Sequence, residues 1–341
     1  MALAEAEAMQ SRPERGAGLY SVLGALFLSG LLASLLTGPS DITASAALAA
    51  LFTGDGPVGV VMQDIRLPRA VLGALVGASL GLSGAAMQGL LRNPLAEPGL
   101  IGVSASAALG AVLALQLGWA AAFSLALPGA ALIGAALSVL LLLLLAGPRG
   151  SSLVLILAGI AISALAAALT ALVLNLSPNP YAASEIIFWM MGSLADRSWT
   201  HVAIAAPLMV IGGGLLLMTR RGLDALTLGE DAAEAMGIRM TKLRGLVVAG
   251  TALMVGAATA VTGAIGFVGL VVPHVLRPFT GSQPSRLLPA SALGGAALVL
   301  FADSAVETIL PGRDLKLGVL TAIIGAPVFL HLIYRTRRAG L

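Results

Sequence analysis

The sequence predicts an all-α, polytopic membrane protein, and three observations carry that prediction. The 341 residues are 58% hydrophobic and only 10% charged, where a soluble domain carries about 25% charged residues. Apolar runs of the roughly 20 residues needed to span a bilayer recur from end to end, and the mean hydropathy is +0.99. Backbone groups in lipid have no water to bond, so only helices and closed β-barrels span it. Runs such as Leu132–Ala146 are continuously apolar and lack the alternation of barrel strands, which selects the helix.

Apolar runs punctuated by Gly, Pro and charge place ten spans. Residues 1–18, with Glu5, Glu7, Arg12, Glu14 and Arg15, lack the apolar core and cleavage site of a secretory signal and are expected to form a cytoplasmic tail. The first span, 19–37, ends at a polar stretch, Gly38–Asp64. The second, 69–91, ends at Arg92–Asn93–Pro94, and 99–117, 121–146 and 153–174 follow. Ser177–Ser198 then carries Pro178, Pro180 and a Glu185–Trp189 segment suited to a short interfacial helix. The sixth span is 201–219, and the most charged loop, Arg220–Lys242, leads to 243–264. The run 266–278 is short for a crossing; 287–306 and 317–334 complete the set, so that 19–338 forms one transmembrane domain and 339–341 a cytoplasmic end.

Charge tests this topology. With the N-terminus inside, five of the 19 Lys and Arg (Arg66, Arg69, Arg197, Arg313 and Lys316) fall outside, leaving fourteen inside, the bias expected of cytoplasmic loops. Dropping the short eighth span would put Arg335–Arg338 outside, against that bias. The net charge of +3 and pI near 9.8 are therefore assigned to membrane orientation, not to nucleic acid. The absence of cysteine excludes disulfides and thiolate metal sites. Among the 42 glycines, the Gly73–Gly77–Gly81 spacing suits close helix packing. Ser83–Gly84–Ala85 and Thr262–Gly263–Ala264 echo one another, as an inverted repeat would.

Several residues are candidates for function. Arg66 and Arg69 flank Pro68 at the outer mouth of the second span, where exposed guanidiniums suit bidentate pairing with a partner's carboxylates, or contact with lipid headgroups. In Leu226–Gly237, apolar or small residues (Leu226, Leu228, Ala232, Ala235 and Met236) alternate with Glu230, Asp231 and Glu234, and Gly229 and Gly237 punctuate the stretch. A helical hairpin of this kind suits a groove on another protein, or a solvated connector. Asn93–Pro94 and Pro273–His274 are expected to interrupt helices. His274 without clustered partners reads as a structural residue, and His201 and His331 lie at span ends. Asp303 is a carboxylate within an apolar span, with either an inward partner or a transport role. Glu97 and Glu185 read as interfacial.

Four segments are too particular to be generic span filler. They are Arg66–Leu67–Pro68–Arg69 with Ser83, Gly84, Gln88 and Arg92–Asn93–Pro94–Leu95–Ala96; Phe188–Trp189–Met190–Met191–Gly192–Ser193–Leu194; Leu226–Gly237; and Gly266–Phe267–Val268–Gly269–Leu270 with Pro273–His274, Arg277, Gly318 and Gly325–Ala326–Pro327. In this order and spacing the chain resembles, over nearly its whole length, the permeases that import ferric siderophores, haem and cobalamin. The resemblance implies a ten-span, type II importer permease fold without a cofactor or bound metal. It further implies a homodimer in the inner membrane, a cytoplasmic ABC ATPase dimer and a periplasmic binding protein as partners, and lipid around it.

By the same resemblance Arg66 and Arg69 dock the binding protein. A third arginine is expected near the outer end of the ninth span; Glu307 stands there, and Arg313 is the substitute. Leu226, Leu228, Gly229, Ala232, Ala235 and Gly237 receive ATPase motion, and Ser151 and Ser152 line the inner gate. The chain has no phosphate-binding G-x-x-x-x-G-K-[ST] loop and no catalytic motif, so it is not expected to be an enzyme. An ion-coupled secondary transporter is the alternative, and its mid-membrane charges are scarce here.

Overall fold

The computed structural model describes residues 12–38, 40, 42–123, 125–147, 152–177, 180–309 and 315–338. The predicted N-terminal tail up to residue 11, Ser151, Arg313 and residues 339–341 lie outside the described residues. The principal helices are α1 (Arg12–Leu36), α2 (Ala44–Thr53), α3 (Gly56–Leu91), α4 (Val103–Gln116), α5 (Ala126–Ala146), α6 (Ser152–Asn175) and α7 (Pro180–Met190). They continue with α8 (Trp199–Met218), α9 (Arg220–Leu226), α10 (Glu230–Ala235), α11 (Met240–Thr262), α12 (Val268–Leu276), α13 (Pro284–Ile309) and α14 (Leu317–Arg338). Each of the ten predicted spans coincides with one of these helices. Seven of them, α1, α3, α5, α6, α8, α11 and α13, are long and apolar enough to cross a bilayer. α4 and α12 are too short to cross alone.

The centre of the bundle is polar relative to its rim. In their most apolar windows, α3, α11 and α13 are 78%, 72% and 67% buried, against 22–33% for α1, α5, α6 and α8. The buried helices carry Ser79, Ser83, Gln88, Thr251, Thr259, Ser291 and Asp303 inward. The outer ones present leucines and isoleucines such as Ile133, Leu137, Leu144 and Leu157 outward. Lipid is as apolar as leucine, so packing small residues, not hiding large ones, decides which helices sit centrally. α3 and α13 run antiparallel with backbones in contact: a Cβ on Gly77 would overlap the Gly295 carbonyl, one on Gly295 the Gly77 carbonyl, and one on Gly81 the Ser291 carbonyl.

One boundary differs from expectation. The stretch 38–64 was expected to be a polar loop, but α2 and the first turns of α3 occupy much of it. Pro68 has no N–H to give the previous turn, and a π turn over Val61–Arg66 absorbs the mismatch so that α3 continues. At its far end α3 stops in a Schellman arrangement: Arg92 has φ 49°, its N–H reaches the Gly89 carbonyl, and the Asn93 N–H reaches that of Gln88. The Asn93 side chain then accepts the Leu95 N–H at 2.9 Å.

Beyond that cap the chain turns back into the bundle. Pro98 lies against Gly269, which also approaches the Leu80 carbonyl, and Leu100 and Ile101 lie against Gly159. Leu80 is eleven residues, about 16 Å of helix, above the end of α3. From Glu97 to Gly102 the chain thus re-enters the bundle before leading into α4, and Glu97, expected at an interface, lies half-buried beside Leu80. Pro273, by contrast, sits within α12 without breaking it. The echo of Gly84 and Gly263 is likewise not structural. Gly84 lies mid-helix against the Gly269 carbonyl, whereas Gly263 terminates α11 with φ 73°.

The break after α11 is knitted into two others. The Ser193 N–H donates to the Thr262 carbonyl at 2.8 Å, and the Gly318 N–H to the Gly192 carbonyl at 3.2 Å. Irregular backbone at this depth is tolerated because neighbouring protein takes up its polar groups.

Candidate functional site

Chemistry-bearing residues gather at the two ends of the bundle. At one end the starts of α1 and α13 meet, with the Tyr20 hydroxyl donating to the Arg286 carbonyl at 3.0 Å. The α9–α10 hairpin covers this end. Leu223 and Leu226 of α9 and Ala233 of α10 are fully buried, and Leu223 sits over Gly89 at the end of α3. Two polar struts brace the hairpin. The Asp224 carboxylate accepts the Ser285 N–H at 2.8 Å, satisfying one of the orphan donors that open α13. The Arg244 guanidinium of α11 pairs with Glu230 at 2.7 Å. Gly229, with φ 111°, starts α10, and Gly237, with φ 84°, follows its end; both need the freedom that glycine supplies.

The residues expected to receive a partner therefore divide. Leu228 is 71% exposed and Met236 53% exposed, Ala235 and Gly237 are exposed, and Gly229 and Ala232 are half-buried. Leu226 faces the bundle, because α9 must bury one face to dock; it anchors the hairpin and does not touch the exterior.

At the opposite end the two predicted arginines are not free. Arg66 is only 5% exposed, because the π turn rotates it inward. Its Nη1 donates to the Leu35 and Leu36 carbonyls at 3.0 and 3.2 Å, and its Nη2 to the Ser40 hydroxyl at 2.9 Å. It caps the C-terminus of α1, where cations are favoured. Arg69 grips Asp303 of α13 with Nε at 2.9 Å and Nη2 at 2.7 Å, and its Nη1 binds Glu307. The expectation of exposed guanidiniums is corrected on both counts. Asp303 has the inward partner, and Glu307, where an arginine was sought, completes the same cluster.

Between the ends, Gln88 of α3 ties on to α12 at both its first turn and its C-terminal end. It donates to the Leu270 carbonyl at 3.3 Å and accepts from Arg277 at 2.6 Å. Glu97 accepts the Phe267 N–H at 3.1 Å. Ser152 opens α6, and its expected gate partner Ser151 is outside the described residues. His201 Nδ1 accepts the Ser198 N–H at 3.2 Å, part of the capping box that starts α8. Among the described residues no group of three His, Asp or Glu could hold a metal ion. Sequence reasoning missed the Arg69 cluster, the Asp224 strut and the depth of Glu97. Each depends on a partner remote in the chain, and only Asp303, an acid in an apolar span, signalled one.

The sequence profile of the FecCD transport family matches residues 26–335. The chain is 40% identical over 283 residues to the hemin transport system permease protein HmuU of Yersinia pestis, covering 81% of this chain and 84% of that one. It is 39% identical over 320 residues to the vitamin B12 import system permease protein BtuC of Shigella boydii, covering 93% and 94%. Its fold is similar to a metal-chelate type ABC transporter solved in an inward-facing conformation, with a TM-score of 0.81 and 32% identity over 94% of this chain and 99% of that one.

Proposed function

The chain belongs to the FecCD transport family, and from that premise we propose that it is the translocating subunit of an importer powered by a separate ATPase. It works as a homodimer in the inner membrane, with both termini cytoplasmic, and a periplasmic binding protein delivers its cargo. The cargo is an iron complex, haem or a ferric siderophore, ahead of cobalamin. Similarity does not separate these cargoes, since identity to the hemin and vitamin B12 permeases differs by one point. The observation that carries the proposal is the α9–α10 hairpin: an exposed Leu228 and Met236 on a unit braced to α11 and α13. Exposed apolar side chains on a rigid, charged hairpin favour a protein partner over a solvated connector.

The binding protein is expected at the end that carries Arg66 and Arg69. Arg66 and Arg69 serve there by shaping the surface through their partners within the chain, leaving Arg313 as the candidate for direct contact. The inner gate lies at Ser151 and Ser152.

Charging the hairpin tests this reading. Leu228→Glu with Met236→Glu is expected to stop an ATPase from co-purifying. ATP-driven uptake of hemin, a ferric siderophore and cobalamin should each fall at least about 30-fold, the loss that follows from removing an apolar hot spot. The thermal unfolding of the solubilised chain should be unchanged. Ion coupling is the competing reading, and the depth of Glu97 is the observation that favours it. Uphill uptake by the lone chain in liposomes, driven by protons or sodium, would decide for that reading.

A further inference from the structure

Phe267 has φ 66° and ψ −24°, a left-handed conformation disfavoured for any residue with a side chain. Three contacts hold it there. Its N–H is accepted by Glu97 of the re-entrant segment at 3.1 Å. Its carbonyl accepts the Val271 N–H at 2.8 Å, which starts α12. Its ring rests in a notch of α14 at Gly325, where a Cβ would overlap Phe267.

α14 is lightly held. It packs on α12 and α13, meets the Met191 carbonyl at a second notch, Gly318, and leaves Ile323, Ile324 and Leu330 exposed. Beside the junction lies a cavity of about 150 Å³ lined by Glu97, Ser104, Leu80, Val255 and Ile265, which is room for the junction to rearrange.

We propose that Glu97 is a positioning residue for transport: by holding the Phe267 amide it keeps Phe267 seated in the Gly325 notch, and release of this latch frees α14 from α12 during the transport cycle. Strained backbone persists only where its surroundings over-determine it, and here one carboxylate from a distant segment supplies much of that determination. The role of the latch in transport rests on the importer reading; the latch itself does not.

The chain has no cysteine, so Ser104→Cys gives a single thiol in the cavity wall, and its reaction with a small methanethiosulfonate reagent reports opening. The full-length chain is labelled in liposomes without nucleotide or cargo. Glu97→Ala is expected to raise the labelling rate about tenfold, the scale of a local opening equilibrium shifted by one lost hydrogen bond to a charged group. Glu97→Gln, which keeps an acceptor oxygen, should stay within about twofold of the parent. In a Phe267→Gly background, where left-handed backbone is unstrained, Glu97→Ala should add less than about twofold.

Gly325→Ala keeps Glu97 and fills the notch, so it should also raise labelling; this arm decides the matter if Glu97→Ala does not fold. Unchanged labelling in Gly325→Ala, or an equal factor from Glu97→Ala in both backgrounds, would overturn the latch. Adding the ATPase partner and ATP then tests the importer reading separately: labelling that ignores ATP counts against that reading while leaving the latch intact.

Discussion

Arg69→Met should lower the unfolding free energy of the detergent-solubilised protein by about 3–5 kcal/mol, the range measured when one partner is removed from a buried ion pair. Arg69 donates through three nitrogens to Asp303 and Glu307, and the side chains of Arg69 and Asp303 are 17% and 4% exposed. Without the guanidinium, two neighbouring carboxylates remain at the α3–α13 contact, and the buried Asp303 loses its paired cation, since Arg66 acts only on Glu307. The loss is therefore more the expense of leaving acids buried than the worth of the bond. A second substitution separates the two. Arg69→Met with Asp303→Leu removes the orphaned acid and should recover most of the stability. Arg66→Ala should be milder, at about 1–2 kcal/mol, because the carbonyls it caps are neutral. Denaturant or thermal unfolding would measure all three. A loss below about 1 kcal/mol for Arg69→Met would mean that water already screens the cluster.

The cluster matters beyond stability because of what lies at the other end of α13. There the Asp224 carboxylate of the α9–α10 hairpin holds the Ser285 N–H. One helix is thus fixed to the hairpin at its start and clamped to α3 near its finish. If an ATPase moves the hairpin, α13 is the element that must follow or release a strut.

Much of this architecture was legible in the chain because lipid imposes one strong rule: backbone polar groups pair within a helix, so apolar length reads directly as span. The exceptions have physical causes. The start of α3 was hidden because Gly54, Gly56 and Pro57 look like loop residues and Gln63 and Asp64 look wet. Yet the Gln63 side-chain amide donates to the Leu51 carbonyl, and the Gln63 main-chain carbonyl accepts the Trp199 indole N–H, so the side chain turns back onto α2. Glu97 was misplaced in depth because a re-entrant segment has the composition of a surface turn. Arg69 was misread because its partner is 234 residues away, and charge alone does not distinguish a guanidinium reaching outward from one reaching across. In the hairpin, the amphipathic pattern was legible, but which of Leu226 and Leu228 faced inward depended on how α9 docks against α3.

Gly81→Leu is expected to prevent α3 and α13 from closing, and to yield little folded protein. A Cβ at this position meets the Ser291 backbone carbonyl, and the neighbouring contact of Gly77 with Gly295 is equally close. Side chains can yield to an intruder at about 1–3 kcal/mol, but two packed backbones have no rotamer to change, so the helices must separate along the seam. Separation would strain the Arg69 cluster and the Gly84–Gly269 contact, which lie on either side of it. Even Gly81→Ala should reduce the yield of monodisperse protein and lower its melting temperature. Gly214 provides the control, since it is also helical but nothing lies within 4 Å of the Cβ position. Gly214→Ala should be neutral or raise stability by about 0.5–1 kcal/mol through the lower backbone entropy of the unfolded chain. Size-exclusion profiles and thermal unfolding of the two alanine variants would compare them directly. Equal behaviour would mean that close backbone approach is not what holds the centre of the bundle together.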